Sequence, residues 1–571
     1  MIKRRIFLQK LNNDQGIAMV MTLFFAVVLF GISEVFLIRT LHESRMMKKE
    51  LETQKIFYTS NAVSQLALNQ LNTFVNTYLM QTISNSNPNG VVSYTSGRVS
   101  AGDGIGWLVF STRNNNVPVL TQNEEQAEYT ESGTLNSYNY VMNIYITEKA
   151  NPAQSGVDAW DFPYFYKIKT TVSSGGVSQN VFINGDFTVR IQRDSFARYA
   201  LFTNSQTMPN GTNVWFTDRT NFTGPVHTNG RFNFAFRPSG TFEGLVTQHY
   251  QSAQFYNNGF PILLNASYNG VRDVPVFNAG FTRNVSSIAL SSPVQQTNLI
   301  SQATDGGSYS NNGIYIPSHG NQLDGGIYVK GNSSIALSTN GNSQVYTITQ
   351  GSNTKVVTLD IANETTSVFD VGSGTTNNYN GLPHGTDSDG TLIHVDGNIQ
   401  SLSGTVQSNE KVTISSSSDI IITNHLRYES YDDESGTFGT AGYVPPSADG
   451  YENILGLISW NGDIRIGTGA PDDIDIHGTV LARNGVFTVD DYDEGSPRGI
   501  ATLLGGVITD DYGAFGQFSS ATGQDIHGYG RNFVYDTRMQ AGALPPYFPT
   551  LETFVAFTND LTDKLIWQQG E

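Results

Sequence analysis

Cysteine is absent from all 571 residues, which excludes disulfides, thiolate nucleophiles and every zinc site with a cysteine ligand, and leaves stability to packing alone. Positive charge is scarce: 32 Lys and Arg stand against 50 Asp and Glu, a formal net charge of -18. Phosphate recognition needs a basic footprint, so no nucleic-acid partner is expected. Proline is missing from the first 87 residues, so nothing interrupts a helix there. An Ala-x-Ala-like cleavage site, which a conventional secretory signal shows after a shorter apolar region, does not follow the first apolar stretch.

What is present begins with a basic leader, MIKRRIFLQKLNNDQG, carrying Lys3, Arg4, Arg5 and Lys10, and then IAMVMTLFFAVVLFGI, sixteen residues without a charge. Extended to Ile38 this gives 22 residues from Ile17, enough to cross a bilayer core that needs about 20. Leader positives predict a cytoplasmic N-terminus and an extracytoplasmic C-terminal part. Beyond the apolar run, Leu41, Met46, Leu51, Ile56, Val63, Leu66, Leu71 and Val75 keep roughly helical spacing. One helix over 17–82 is expected, its first half apolar all round and its second half amphipathic.

A charged leader, a Gly16-Ile17 boundary and an amphipathic continuation resemble the N-terminus of the type IV pilin class and its pseudopilin relatives. Within that class, QGIAMVMTLFFAVVLFGISEVFLIRT and the Phe57 to Leu68 stretch are similar to the PilX-type minor pilin start. The resemblance covers residues 1 to about 80. It implies cleavage by prepilin peptidase after Gly16, a methylated Ile17 as the new N-terminus, and other pilin-like subunits as partners. Ile17 stands where many pilins have Phe, and Met21 stands at the fifth mature position where most major pilins have Glu; the latter implies a minor rather than a major subunit. An uncleaved signal anchor is the alternative.

After the turn cluster Asn85 to Gly90 the text becomes short β-type segments bounded by Gly, Asn and Ser. Residues 91–193 read as a small antiparallel β module, with SYNYVMNIYIT, FYKIKTTV and VFINGDFTVRIQR as strands. Residues 194–550, with DGGIYVKGNSSIAL, LIHVDGNIQSLSGTV and DIDIHGTVLARNGVFTV, suit a right-handed β-solenoid, in which each rung covers its neighbour's face. A β-sandwich pair is the alternative fold, and 551–571 reads as a C-terminal tail. FARYALFTNS, GPVHTNG, GLISWNGDIRI, RGIATLLGGVI and GYGRNFVYDTRMQAGALPPYFP, between Asp194 and Pro549, resemble an uncharacterised bacterial domain family that follows PilX-type N-termini, with no activity attached.

Candidate chemistry is thin. His227 in a tight turn could ligate a metal, but no second His lies near it by spacing; a hydrogen-bonded turn is the simpler reading. His477 and His527 share an Asp-Ile-His-Gly core, and alternation puts Asp475 and His477 on one side of a strand, as an acid–base pair would need. The clusters Asp432-Asp433-Glu434, Asp472-Asp473-Asp475 and Asp490-Asp491-Asp493-Glu494 offer hard oxygen ligands without EF-hand or calcium-roll spacing. Gly505-Gly506 precedes a strand-like VITDD, not the helix a phosphate loop needs.

The expectation is therefore a mainly β protein with one long N-terminal helix: a minor pilin or pseudopilin-like subunit displaying a β-rich domain for assembly or adhesion. Gly16 and Ile17 are its processing residues, and no catalytic residue, metal or cofactor is expected. The membrane and other pilin-like subunits are its partners, with a surface polysaccharide or host ligand as further candidates. An individually anchored surface protein and an anchored carbohydrate-active enzyme are the rivals, the last requiring a pair of carboxylates across a groove.

Overall fold

The computed structural model describes residues 2–84, 86–113, 120–123, 125–156, 158–235, 239–257, 259–265, 273–290, 293–385, 390–519, 524–558, 561 and 566–570; the side chains of 2–15, 112, 113, 156, 239, 293 and 566–570 lie outside that description. The protein is mainly β with one long N-terminal helix. That helix spans Ile2–Thr73 and continues through one π-helical turn, Phe74–Leu79, into Met80–Ser84. Every residue from 16 to 51 is exposed. Phe24, Leu29, Phe30 and Phe36 are each more than 60% exposed, a state that water opposes at about 25 cal/mol per Å² of apolar surface. The helix is long and apolar enough to cross a membrane.

From Ile56 onward one stripe turns inward. Ile56, Val63, Ala67, Leu71, Val75, Leu79 and Ile83 are buried, and their spacing of seven and then fours is that of one helix face. They pack on an antiparallel sheet whose main order is Thr121–Asn123, Gln126–Leu135, Tyr138–Glu148, Ala159–Ser174, Val177–Ser195 and Thr550–Thr558. Strand 159–174 alternates strictly: Phe162, Tyr164, Tyr166 and Ile168 face the helix, while Phe165 and Lys167 face out. Ser60 and Ser64 let helix and sheet approach closely, and the Ser64 and Thr170 hydroxyls meet at 2.6 Å.

Residues 201–534 form the larger body. Strands Leu201–Thr203, Val226–Thr228 and Val246–Gln248, and then Thr391–Asp396, Lys411–Ser416, Ile454–Ser459, Thr479–Ala482 and Val507–Thr509, lie in one 11-stranded sheet, paired in parallel. The intervening strands Ile399–Val406, Ile420–Tyr428, Asp475–His477, Pro497–Leu504 and Asp525–Val534 build a second parallel run within a 15-stranded sheet. The chain thus alternates between sheets, and Ile414, Leu457, Val480, Leu402, Ile422 and Ile466 belong to the one apolar core these strands build. Paired residues Ile393, Ile414, Leu457, Val480 and Val507 stand 21, 43, 23 and 27 positions apart, so no repeat is countable along the sequence. The returning strand Val507–Thr509 pairs with Leu201–Thr203, which makes the ladder continuous across residues some 300 positions apart. Gly506 sits at this junction, where a Cβ would collide with the Tyr199 carbonyl oxygen.

Three expectations change. Residues 88–101 and 104–113 are helices, not strands: the Asn87 side chain accepts from the Asn89 and Gly90 amides, Pro88 opens the helix, and Gly102 closes it at φ +63. A further helix, Pro293–Thr304, packs Leu299 and Ala303 into the β body. The segment read as a tail instead supplies strands Thr550–Thr558 and Ile566–Gly570, both added to Val177–Ser195, because Phe554 and Ala556 belong to the core under the N-terminal helix.

Candidate functional site

Gly16 and Ile17 lie inside the continuous helix, both exposed, with nothing within 4 Å of the place a Gly16 Cβ would occupy. The basic residues of the leader fall among side chains outside the described set.

The histidines singled out by sequence are satisfied structural groups. His227 meets the Thr247 hydroxyl through Nδ1 at 2.8 Å and the Asn229 Oδ1 through Nε2 at 3.1 Å. Since Asn229 Oδ1 only accepts, Nε2 carries the proton, and burial lowers the pKa to about 4. His477 and Asp475 do not form an acid–base pair. His477 Nδ1 accepts the Tyr428 amide at 3.1 Å, and burial together with Arg427 and Arg538 lowers its pKa to about 3; Asp475 is bound by Arg427. His527 contacts the Gly495 carbonyl through Nδ1 at 2.5 Å.

The acidic clusters are likewise engaged with the protein. Asp432 accepts from the Tyr451 hydroxyl at 3.0 Å and Glu434 from Tyr443 at 2.5 Å. Asp473 accepts the Ile500 amide at 2.9 Å, and Asp490 pairs with Arg465 at 3.0 Å. Among the described residues no group of three or more His, Asp or Glu converges as a metal site. Gly505 serves close backbone packing: a Cβ there would strike the Gly478 carbonyl oxygen.

Sequence reasoning missed two buried polar features and one surface. Glu410 is fully buried, accepts from the Tyr346 hydroxyl at 2.8 Å, and has its pKa raised by desolvation to about 7. Arg538 forms a two-pronged pair with Asp536 at 2.9 and 2.6 Å and donates to the Tyr451 and Asn453 carbonyls, pinning the 430–453 loop to the C-terminal segment. The surface is the outer face of the antiparallel sheet. There a groove of about 900 Å³ is lined by Tyr145, Phe165, Lys167, Lys169, Phe182 and Asn184 among others. Alternation in strands 138–148, 159–174 and 177–195 signals an outward face, but only the register puts these side chains side by side.

The family described as Domain of unknown function (DUF4900) matches residues 161–249. The matched segment runs from the antiparallel sheet into the first strands of the 11-stranded one and includes Phe165, Lys167, Lys169 and Phe182. No curated protein matches. Among solved structures, that of the competence-associated pilin ComZ from Thermus thermophilus is similar at 12% identity and a TM-score of 0.31, over 86% of this chain and 98% of that one.

Proposed function

We propose that this chain is a pilin-like structural subunit, a minor pilin or pseudopilin of a type IV pilus or related secretion filament, which holds a β-rich body outside the cytoplasm for assembly or adhesion and carries out no reaction. The observation that carries this reading is the division of the N-terminal helix. Its first half exposes apolar residues on every side and its second half is built into the head's own core. A helix of this kind serves first in lipid and then in a bundle with its counterparts, since both surround it with apolar groups.

In this reading residues 1–16 are a leader, 17–82 the stalk, 91–193 a module in which two short helices precede the antiparallel strands, and 194–550 a right-handed β-solenoid whose alternating parallel strands are its rungs; the last twenty or so residues return to the module. The antiparallel excursion of four strands between Ser343 and Asn380 is an insertion into one rung. The N-terminus is cytoplasmic before processing, prepilin peptidase cleaves after Gly16, and Ile17 becomes the methylated terminus. Met21, without a carboxylate for a neighbour's amine, suits a subunit of low copy number.

The test is the N-terminus of the mature protein. Mass spectrometry should find methylated Ile17, and Gly16→Glu should leave the leader attached. An unmodified Met1 or Ile2 start on mature protein would replace this reading with an individual signal anchor.

A further inference from the structure

The outer face of the antiparallel sheet holds the groove lined by Tyr145, Phe165, Lys167, Lys169 and Phe182. The register sets three rows across it: Thr147, Phe165 and Asp186; Glu128, Tyr145, Lys167 and Asn184; Asn143, Lys169 and Phe182. Neighbours along a strand on one face stand about 6.6 Å apart and strands about 4.8 Å apart. Lys167 therefore stands beside Tyr145 across the strands and beside Phe165 along its own, and Lys169 stands beside Phe182, so two adjacent ammonium groups are flanked by three rings. The Lys167 ammonium lies 5.0 Å from the Phe182 ring centre and that of Lys149 5.7 Å from Phe165.

The charges on this face are unevenly matched. Lys149 is held by Asp186 at 2.7 Å. Lys167 and Lys169 form no ion pair among the described residues, and the other carboxylate in these rows, Glu128, stands at the end beyond Tyr145. Two adjacent cations without carboxylate partners among the described residues stand out in a chain of net charge -18. Phe165 is 46% exposed although its ring gains nothing from water. A groove of about 900 Å³ is within the range that holds organic ligands.

We propose that this groove binds an acidic polysaccharide. Aromatic faces at Tyr145, Phe165 and Phe182 suit the C–H faces of pyranose rings, Lys167 and Lys169 suit carboxylates recurring along a uronate chain, and Asn184, Gln126 and Thr147 supply hydroxyl partners. Three rings around two adjacent cations match a polymer whose every unit offers both a ring face and a carboxylate; an acidic peptide offers charge without the ring. The site does not rest on the pilin-like reading, because an individually anchored chain carries the same face.

The experiment is calorimetric titration of the full chain in detergent with oligogalacturonate and with an oligomer alternating uronate and N-acetylhexosamine. Binding of at least one is expected, weakening with added salt. Methyl-esterified oligogalacturonate, Lys167→Gln/Lys169→Gln and Phe165→Leu/Phe182→Leu should each bind about tenfold more weakly. Lys355→Gln, on the distant insertion, should leave affinity unchanged, and circular dichroism should show every variant folded. Absence of binding by both acidic oligomers overturns the proposal. So does equal affinity for oligoglutamate that ignores the phenylalanine substitutions, which would reassign the face to an acidic protein partner, or tighter binding of an oligonucleotide than of either glycan. The N-terminal mass measurement is independent of all these outcomes.

Discussion

Glu410 shows how much a single residue's environment decides. In the sequence it is one more acid in SNEK, and nothing nearby marks it. In the fold it lies between sheets, held by Tyr346, with its pKa at about 7. The unfolded chain releases this proton near the ordinary glutamate value and the folded chain keeps it to about pH 7, so the folded state binds more protons between these limits. Stability is therefore highest below the unfolded value and falls as pH rises through the window, by about 3 kcal/mol from this group. Glu410→Gln should flatten that fall and raise the thermal midpoint of the β body at pH 8 relative to the parent, measured by calorimetry from pH 5 to 8. A midpoint lowered equally at both ends would mean that the carboxyl is needed for its geometry alone. His227 and His477 illustrate the converse: residue type drew notice, but burial and neutral hydrogen bonding leave them structural.

At the scale of elements, the stalk helix was legible because its two signals are local, an uncharged run followed by apolar residues three and four apart. Helices 88–101 and 104–113 were not, since VVSYTSGRVS and GIGWLVF are β-branched, aromatic and Gly-bearing. Tertiary packing overrides that preference: Trp107 stacks on Phe162 at 4.9 Å, and the Glu148 carboxylate caps the Gly104 and Ile105 amides. The seam between stalk and sheet depends on the buried helix stripe. Leu71→Ala, at a residue 2% exposed, should cost about 3 kcal/mol through lost transfer energy and a cavity. Hydrogen exchange should show faster opening of helix 60–84 and of strand 159–174, with strands 411–482 unchanged. Exchange rising equally in both regions would indicate that the two cores unfold as one unit.

For the molecule as a whole, the decisive feature is where the chain returns. Strand Thr550–Thr558 closes one side of Val177–Ser195, with Phe554 and Ala556 in the core under the stalk, and Val507–Thr509 joins Leu201–Thr203. Deleting 550–571 should therefore disrupt the antiparallel module, leaving an unpaired strand edge and an opened core. Limited proteolysis of the truncated chain should cut within 120–195 before any site in 391–510; an unchanged cleavage pattern would show that the returning strand adds nothing to the module's stability.

The sequence by itself determined what is local: an apolar helix able to cross a membrane, its amphipathic extension, a mainly β remainder, and which side chains of a strand share a face. Period-two alternation contains that much because successive residues on a strand point to opposite sides. It contains no information about which strand lies alongside, since separations of 21, 43, 23 and 27 residues between paired positions follow from loops of unequal length. Tertiary structure alone decided those partners. It thereby joined residue 201 to 507, turned the C-terminal segment into a strand of the module, and set Lys167, Lys169, Tyr145, Phe165 and Phe182 on one surface, through contacts between segments distant in the chain, whose energies depend on both partners at once.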